Sequence, residues 1–387
     1  MITGSRFKPQ NSDELRRAIQ SCYKICHKCS KGGPGGEYGP IGEWDVSNVT
    51  DMSSMFKGLD RFNGDISKWD VSNVVNMRAM FESATWFNDD LSKWDVSNVV
   101  NMTDMFCLAE LFCSGPDDVK ISEWDVSNVT KMTGMFDKAF YFRGDLSKWD
   151  VSSVTDMSFL FDSCDHFNCD LSKWDVSSVT TMTSMFFGAK SFNSDISEWD
   201  VSSVSNMQRM FANAKSFNGD ISRWNVSSVV NMRLMFFRAS SFNGDLSKWD
   251  VSKVTDMDNM FDGATSFKTQ LCGSAWHAVR KRKIQEAAQD SITFINARKH
   301  DSNIGVVQAC PGITEEHECH VNDKYNIHSL IINVNDKYNR FATHVNGVWQ
   351  KINLPKTITN EYRLLRNPQG LCVFSLILNH IVPESIH

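Results

Sequence analysis

Cys22, Cys26, His27 and Cys29 fall in the spacing C-x₃-C-x₂-C, and three thiolates with one imidazole are a donor set suited to tetrahedral zinc. The same stretch has a second reading. NSDELRRAIQSCY has the form of an N-capped helix on which Cys22 shares a face with Leu15 and Ile19. Cys310, His317, Cys319 and His320 form a looser group without paired C-x-x-C spacing. Aspartates offer a different chemistry. Asp45, Asp70, Asp95, Asp125, Asp150, Asp175, Asp200 and Asp250, with Asn225 in place, form one series, and Asp65, Asp90, Asp145, Asp170, Asp195, Asp220 and Asp245 another. Two carboxylates per unit would supply part of the six to eight oxygens that calcium takes.

What positions these aspartates is a repeat. Trp falls at 44, 69, 94, 124, 149, 174, 199, 224 and 249, with seven intervals of 25 residues and one of 30. The long interval contains FCSGPDDVK, whose Gly-Pro and paired Asp mark a surface loop. The unit reads W-D-V-S-x-V-x-x-M-x-x-M-F-x-x-A-x-x-F-N-G-D-[IL]-S-K. Met52 heads a column of nine Met, Met55 a column of eight Met plus Leu160, and Phe56 and Phe62 head columns of nine Phe each. A Met-rich stripe can hold soft metals, but fixed steps beside Val and Phe are the pattern of a stacked core.

I/L-S-K-W-D-V places apolar residues as in L-x-x-L-x-L, which predicts a short strand with Trp and Val inward and Asp and Ser outward. V-x-x-M-x-x-M-F-x-x-A-x-x-F runs at steps of three and four, which predicts a helical or 3₁₀ return. F-N-G-D predicts a turn with Gly at positive φ. The fold expected is a right-handed leucine-rich-repeat-like solenoid: an N-terminal helical cap over 1–43, nine coils over 44–273, an exit helix over 274–300 and a small, mainly β unit over 301–387. In the last unit VNDKYN occurs twice, and RFATHVNGVWQKI predicts a hairpin turning at Asn346-Gly347.

Outward columns are the candidate binding face: Lys68, Lys93, Glu123, Lys148, Lys173, Glu198, Arg223 and Lys248; Asp70, Asp95, Asp125, Asp150, Asp175, Asp200, Asn225 and Asp250; and Ser72 with its equivalents. Stacked carboxylates repel by about 1 kcal/mol per neighbour in water-like dielectric, and the adjacent cations offset most of it. Asn63, Asn88, Asn168, Asn193, Asn218 and Asn243 could form a ladder of amides bonding turn backbone, interrupted at Cys113, Arg143 and Lys268.

Charge excludes one function class. Residues 44–273 carry twenty Lys/Arg against thirty-two Asp/Glu, so a nucleic-acid interface there is not expected. No apolar h-region appears in MITGSRFKPQNSDELRRAIQ, and the longest apolar run, LCVFSLIL, is too short to span a bilayer. The basic run Arg280–Lys283 reads as a solvated helix face, and eleven scattered Cys leave the compartment open. Sequons at Asn48, Asn101, Asn128 and Asn225 carry little weight without a leader.

The unit resembles the BspA-like leucine-rich repeats of bacterial surface proteins, protists, algae and large viruses, in its 25-residue W-D-V-S-x-V-x-x-M branch. M-F-x-x-A-x-x-F is similar to that family's A-F-x-x-C-x-x-L. CSKGGPGGEYGPIGEWDVSNVTDMSSMF and FKTQLCGSAW resemble the flanks of algal members. The resemblance covers roughly residues 5–276. It implies a non-enzymatic scaffold for protein or glycan binding, of adhesion type, without a cofactor, and a cap in which Cys22 and Cys29 could pair. A monomer is expected, and the bacterial members imply a surface location. The stretch Gly370–Phe374 faintly resembles the nucleophile box of ovarian-tumour-type cysteine proteases, with Cys372 as nucleophile. Its downstream histidines are only His380 and His387, too near for that family. A degenerate hydrolase tail and a calcium-bridged solenoid are the alternatives.

Overall fold

The computed structural model describes residues 6–26, 36–115 and 120–269, five positions between 271 and 279, and the segments 341–345 and 348–352. Two compact units divide at Thr269–Gln270.

In the first unit, helix α1 (Ser12–Ile25) starts where the Asn11 side chain accepts from the Glu14 N–H, with Asp13 and Glu14 at its positive end. Its buried stripe is Leu15, Ala18, Ile19 and Cys22, as the helical reading requires. Two short 3₁₀ turns, Gly36–Tyr38 and Ile41–Glu43, lead into the repeats.

Among the described residues of 44–269 none is in a helix or an extended strand. The strand expected over I/L-S-K-W-D-V is replaced by successive turns, closed by bonds such as Trp69 N–H to Ile66 C=O (3.0 Å) and Val74 N–H to Val71 C=O (2.9 Å). Backbone bonding between units lies instead in the Met-x-x-Met-Phe segment. Met52, Ser54, Phe56 and Gly58 donate to the carbonyls of Asn76, Arg78, Met80 and Glu82, each at 2.8 Å. The pattern recurs up to Arg238 N–H on Asp262 C=O, with isolated parallel bridges at its start. The five extra residues do not disturb it, since Met102 pairs with Lys131 and Phe106 with Met135 at 2.8 Å.

This ladder depends on two left-handed residues per unit. Ser54 (φ 56°) and Gly58 (φ 73°) begin the two series, which continue through residues as different as Phe159, Leu234, Lys138 and Arg238. The Gly of F-N-G-D does not take positive φ, contrary to expectation. At Gly144 the ring two residues earlier packs against the glycine, where a Cβ would meet Phe142 at 2.6 Å, while Asp89, Cys169 and Ser194 hold the same place in other units.

The first unit's ladder carbonyls have no preceding coil, and α1 supplies their donors. The Ser12 hydroxyl bonds Asp51 C=O (2.5 Å) and the Arg16 guanidinium bonds Ser53 C=O (2.8 Å). Inside, three aromatic columns run through the units. Trp rings stack at 6.3–6.5 Å, the Phe56 series at 5.2–5.8 Å and the Phe62 series at 5.8–6.2 Å. The Met52 and Met55 series fill the space beside them and are almost wholly buried, except that Met257 is half-buried. Each indole also donates across units to an otherwise buried carbonyl, as Trp69 does to Ile41 (2.9 Å) and Trp149 to Ile121 (2.9 Å).

In the second unit, β1 (Phe341–Val345) and β2 (Val348–Ile352) pair antiparallel with Val345 opposite Val348, the hairpin read from the sequence. Asn346 and Gly347 lie outside the described residues, as do Cys310, His317, Cys319, His320, Arg280–Lys283, Cys372, His380 and His387.

Candidate binding surface

Both aspartate series are engaged in local turns. Asp70 Oδ1 accepts from the Ser72 N–H (3.2 Å) and hydroxyl (2.6 Å), and Asp65 does the same with Ser67. These bonds to the charged form hold the carboxyls of Asp95, Asp175, Asp200 and Asp250 below the ordinary range. Asp45 is held at about 2, since Lys8 adds a bond at 2.8 Å. A third series missed in the sequence, Asp51, Asn76, Asn101, Asp156, Asn206, Asn231 and Asp256, caps the N–H two residues on in the same way, as at Ser53 and Ser158.

The amide ladder is present. Asn63 Oδ1 accepts from Asn88 N–H, Asn88 from Cys113, Asn168 from Asn193, Asn193 from Asn218, Asn218 from Asn243 and Asn243 from Lys268, at 2.7–3.1 Å. At Arg143 the N–H turns to Cys113 C=O instead (2.8 Å).

Lys68, Lys93, Lys148, Lys173, Lys248, Arg223, Glu123 and Glu198 are exposed, as are Asp70, Asp95, Asp125, Asp150, Asp175, Asp200, Asp250 and Asn225. Ser72 is half-buried by its bond to Asp70. Where Glu breaks the basic column, the base of the next unit answers it: Lys148 pairs with Glu123 (2.5 Å) and Arg223 with Glu198 (3.5 Å). Exposed pairs of this kind contribute roughly 0–1 kcal/mol.

Among the described residues no three His, Cys, Asp or Glu side chains are placed to hold a metal ion. Cys22 is buried on α1, and His27 and Cys29 lie outside the described residues. Arg143, Asp145, His166, Cys169 and Asp170 line an open cleft. Burial pushes the Cys169 thiol up to about 12, beside Asp145. Cys107 is pushed up to about 12 in the same way, by burial and then by Asp137. Cys164 lies fully buried and well above the usual thiol range.

One exposed column escaped the sequence reading. It runs Arg61, Trp86, Leu111, Tyr141, His166, Ser191, Ser216, Ser241, Ser266, one residue before the buried Phe of each unit. Trp86 is 51% exposed, Leu111 37% and Tyr141 46%. The signal in the sequence is the departure from Ser in the first five units, at a position that the repeat unit leaves open.

The model of a family described as "Mycoplasma protein of unknown function, DUF285" matches three consecutive segments, 35–120, 116–215 and 194–304, well over half of the chain. The chain belongs to the DUF285 family. DUF285 is a BspA-like repeat type, so the resemblance in the residues and the family match agree at that level. The matched segments of this DUF285 chain span the whole described repeat region, and no curated protein or solved structure matches it. No helix among its described residues is long and apolar enough to cross a membrane.

Proposed function

We propose that this DUF285 chain is a non-enzymatic repeat scaffold that binds a protein or glycan partner, of adhesion type, through exposed side chains on a leucine-rich-repeat-like, right-handed solenoid of the 25-residue W-D-V-S branch. One observation carries the reading. The recurring residues are consumed by structure: Trp, Val, Met and Phe by the core, Asp by turns and Asn by the ladder. What remains for a partner is the set of positions that differ from unit to unit on a rigid frame. Stacked repeats suit this role because they present a long surface without needing a single pocket.

The basic column beside Asp70 and Asp95 is the face of choice, since Lys68, Lys93, Lys173 and Lys248 are exposed and unequal neighbours of Glu123 and Glu198. The test is capture of glycans and proteins by the immobilised full chain, compared with a Lys68→Glu/Lys93→Glu/Lys173→Glu variant. Reversal of charge is expected to weaken capture by about tenfold or more, with melting unchanged. Equal capture by both proteins moves the site elsewhere, and thiol-dependent hydrolysis of any captured partner overturns the non-enzymatic reading.

A further inference from the structure

The Trp86 column lies on a sharp corner. In each unit two Phe rings six residues apart in sequence touch, at 4.0 Å for Phe81–Phe87 and 4.0 Å for Phe161–Phe167, so the residues between them must round a tight bend. Units are joined along this corner by backbone bonds, Trp86 N–H to Asp60 C=O (3.0 Å) and Leu111 N–H to Thr85 C=O (3.1 Å). Tyr141 and His166 stack at 5.6 Å. The later units provide an internal control. Ser191 and Ser216 make the same backbone bond at 3.1 Å with a small polar side chain, so the corner has no structural need of an aromatic residue. An exposed Trp, Leu and Tyr in a row is a patch that ordinarily marks a binding surface.

Charge on the same corner changes with the ridge. The first position of the bend carries Lys57, Glu82, Cys107, Asp137 and Asp162 in the five units before Ser takes over the ridge column, and Phe187, Ala212, Phe237 and Asp262 in the four Ser units. The fourth position carries Asp60, Thr85, Glu110, Phe140 and Asp165, then Lys190, Lys215, Ser240 and Thr265. Lys57, Lys138 and Lys190 pair with Glu82 (2.7 Å), Asp137 (3.0 Å) and Asp165 (2.5 Å), which leaves Asp162 and Glu110 in excess on the ridge units.

We propose that the Trp86–Leu111–Tyr141–His166 ridge docks an arginine- or lysine-rich segment of a partner protein, its cations lying over the rings and against the flanking carboxylates. Aromatic faces attract cations, and carboxylates beside them supply the complementary field. Two features of the uncomplexed chain fit this. Asp137 Oδ1 is buried without a hydrogen-bond partner. Asp162 is raised to about 6, chiefly by burial and further by Asp137, the mark of carboxylates crowding one another.

This inference rests on the scaffold reading and places its partner at a different face from the lysine column. The test uses the full chain and a short labelled peptide alternating Arg and Leu, followed by fluorescence anisotropy, with a Glu-Leu peptide alongside. The Arg-Leu peptide is expected to bind, more weakly as salt rises, and the Glu-Leu peptide not to bind. Trp86→Ser/Tyr141→Ser, which installs the residue of the later units, is expected to weaken binding about tenfold or more with melting unchanged. Glu110→Gln/Asp162→Asn, which removes the two excess carboxylates and leaves the rings in place, is expected to weaken it as well and flatten the salt dependence. Unchanged affinity in both variants, equal binding of the two peptides, or no peptide binding at all overturns the ridge. The lysine-column capture experiment then still decides the scaffold reading, so the two failures are distinguishable.

Discussion

At the scale of single residues, Trp and Asp show why a motif recurs nine times without being a site. From Trp69 on, each Trp of the motif fills the core and closes a bond across units, so Trp149→Phe keeps most of the burial but removes one of the two donors to Ile121 C=O, the Trp124 N–H (3.2 Å) remaining. The expected loss is about 1 kcal/mol, measured by denaturant unfolding. The turn carboxyls of Asp95, Asp175, Asp200 and Asp250 are bonded to Ser and held below the ordinary range, so the stability they contribute is present above the ordinary carboxyl value and is lost as pH falls through the folded value. Asp162 works in the opposite direction. Its folded value is about 6 against an ordinary 3.8, so its contribution is complete below about 3.8 and disappears as pH rises through about 6. Asp162→Asn is therefore expected to raise the melting temperature at pH 7, by of order 1 kcal/mol after screening by the solvent that reaches this half-buried group, and to converge with the parent near pH 4. An unchanged pH profile between 4 and 7 would show that Asp162 is not the group involved.

At the scale of elements, the ladder and its left-handed residues decide the shape of each unit. Ser83 (φ 61°) occupies the place that Gly58, Gly188 and Gly263 hold in other units. Ser83→Gly is expected to stabilise by up to about 1 kcal/mol, since a side chain in the left-handed region carries a penalty of roughly that size. Gly134→Ala is expected to do the reverse, because its φ is 62° and a Cβ there would meet Asp104 Oδ1 at 2.6 Å. Thermal melts of the two variants are the check, and equal shifts of one sign would contradict the argument. Cap helix α1 was readable from its N-cap and apolar stripe. The ladder was not, because the residues at positive φ (Ser54, Ala79, Asp104, Phe159, Leu234) share no type that announces the conformation.

At the scale of the whole molecule, acidic charge over 44–273 is the feature most open to a ligand. Calcium bridging between units would need carboxylate oxygens free of other duties. Oδ1 of both Asp in a unit already accepts from Ser, as at Asp65 and Asp70. Millimolar calcium is accordingly expected to leave the melting temperature of the full chain unchanged. A clear rise would restore ion binding between units.

Repetition, the apolar columns, the cap helix, the amide ladder and the late hairpin follow from residue type and spacing alone, because burial and turn chemistry are written in side chains. Where the backbone bonds between units fall, why Asp or Asn stands two residues before Ser, and that Trp86, Leu111 and Tyr141 share one corner with Glu110 and Asp162 came only with the tertiary structure. Those features depend on the direction in which each N–H points and on which columns meet at a bend. Backbone torsion sets both, and in this chain it is carried by residues of no common type.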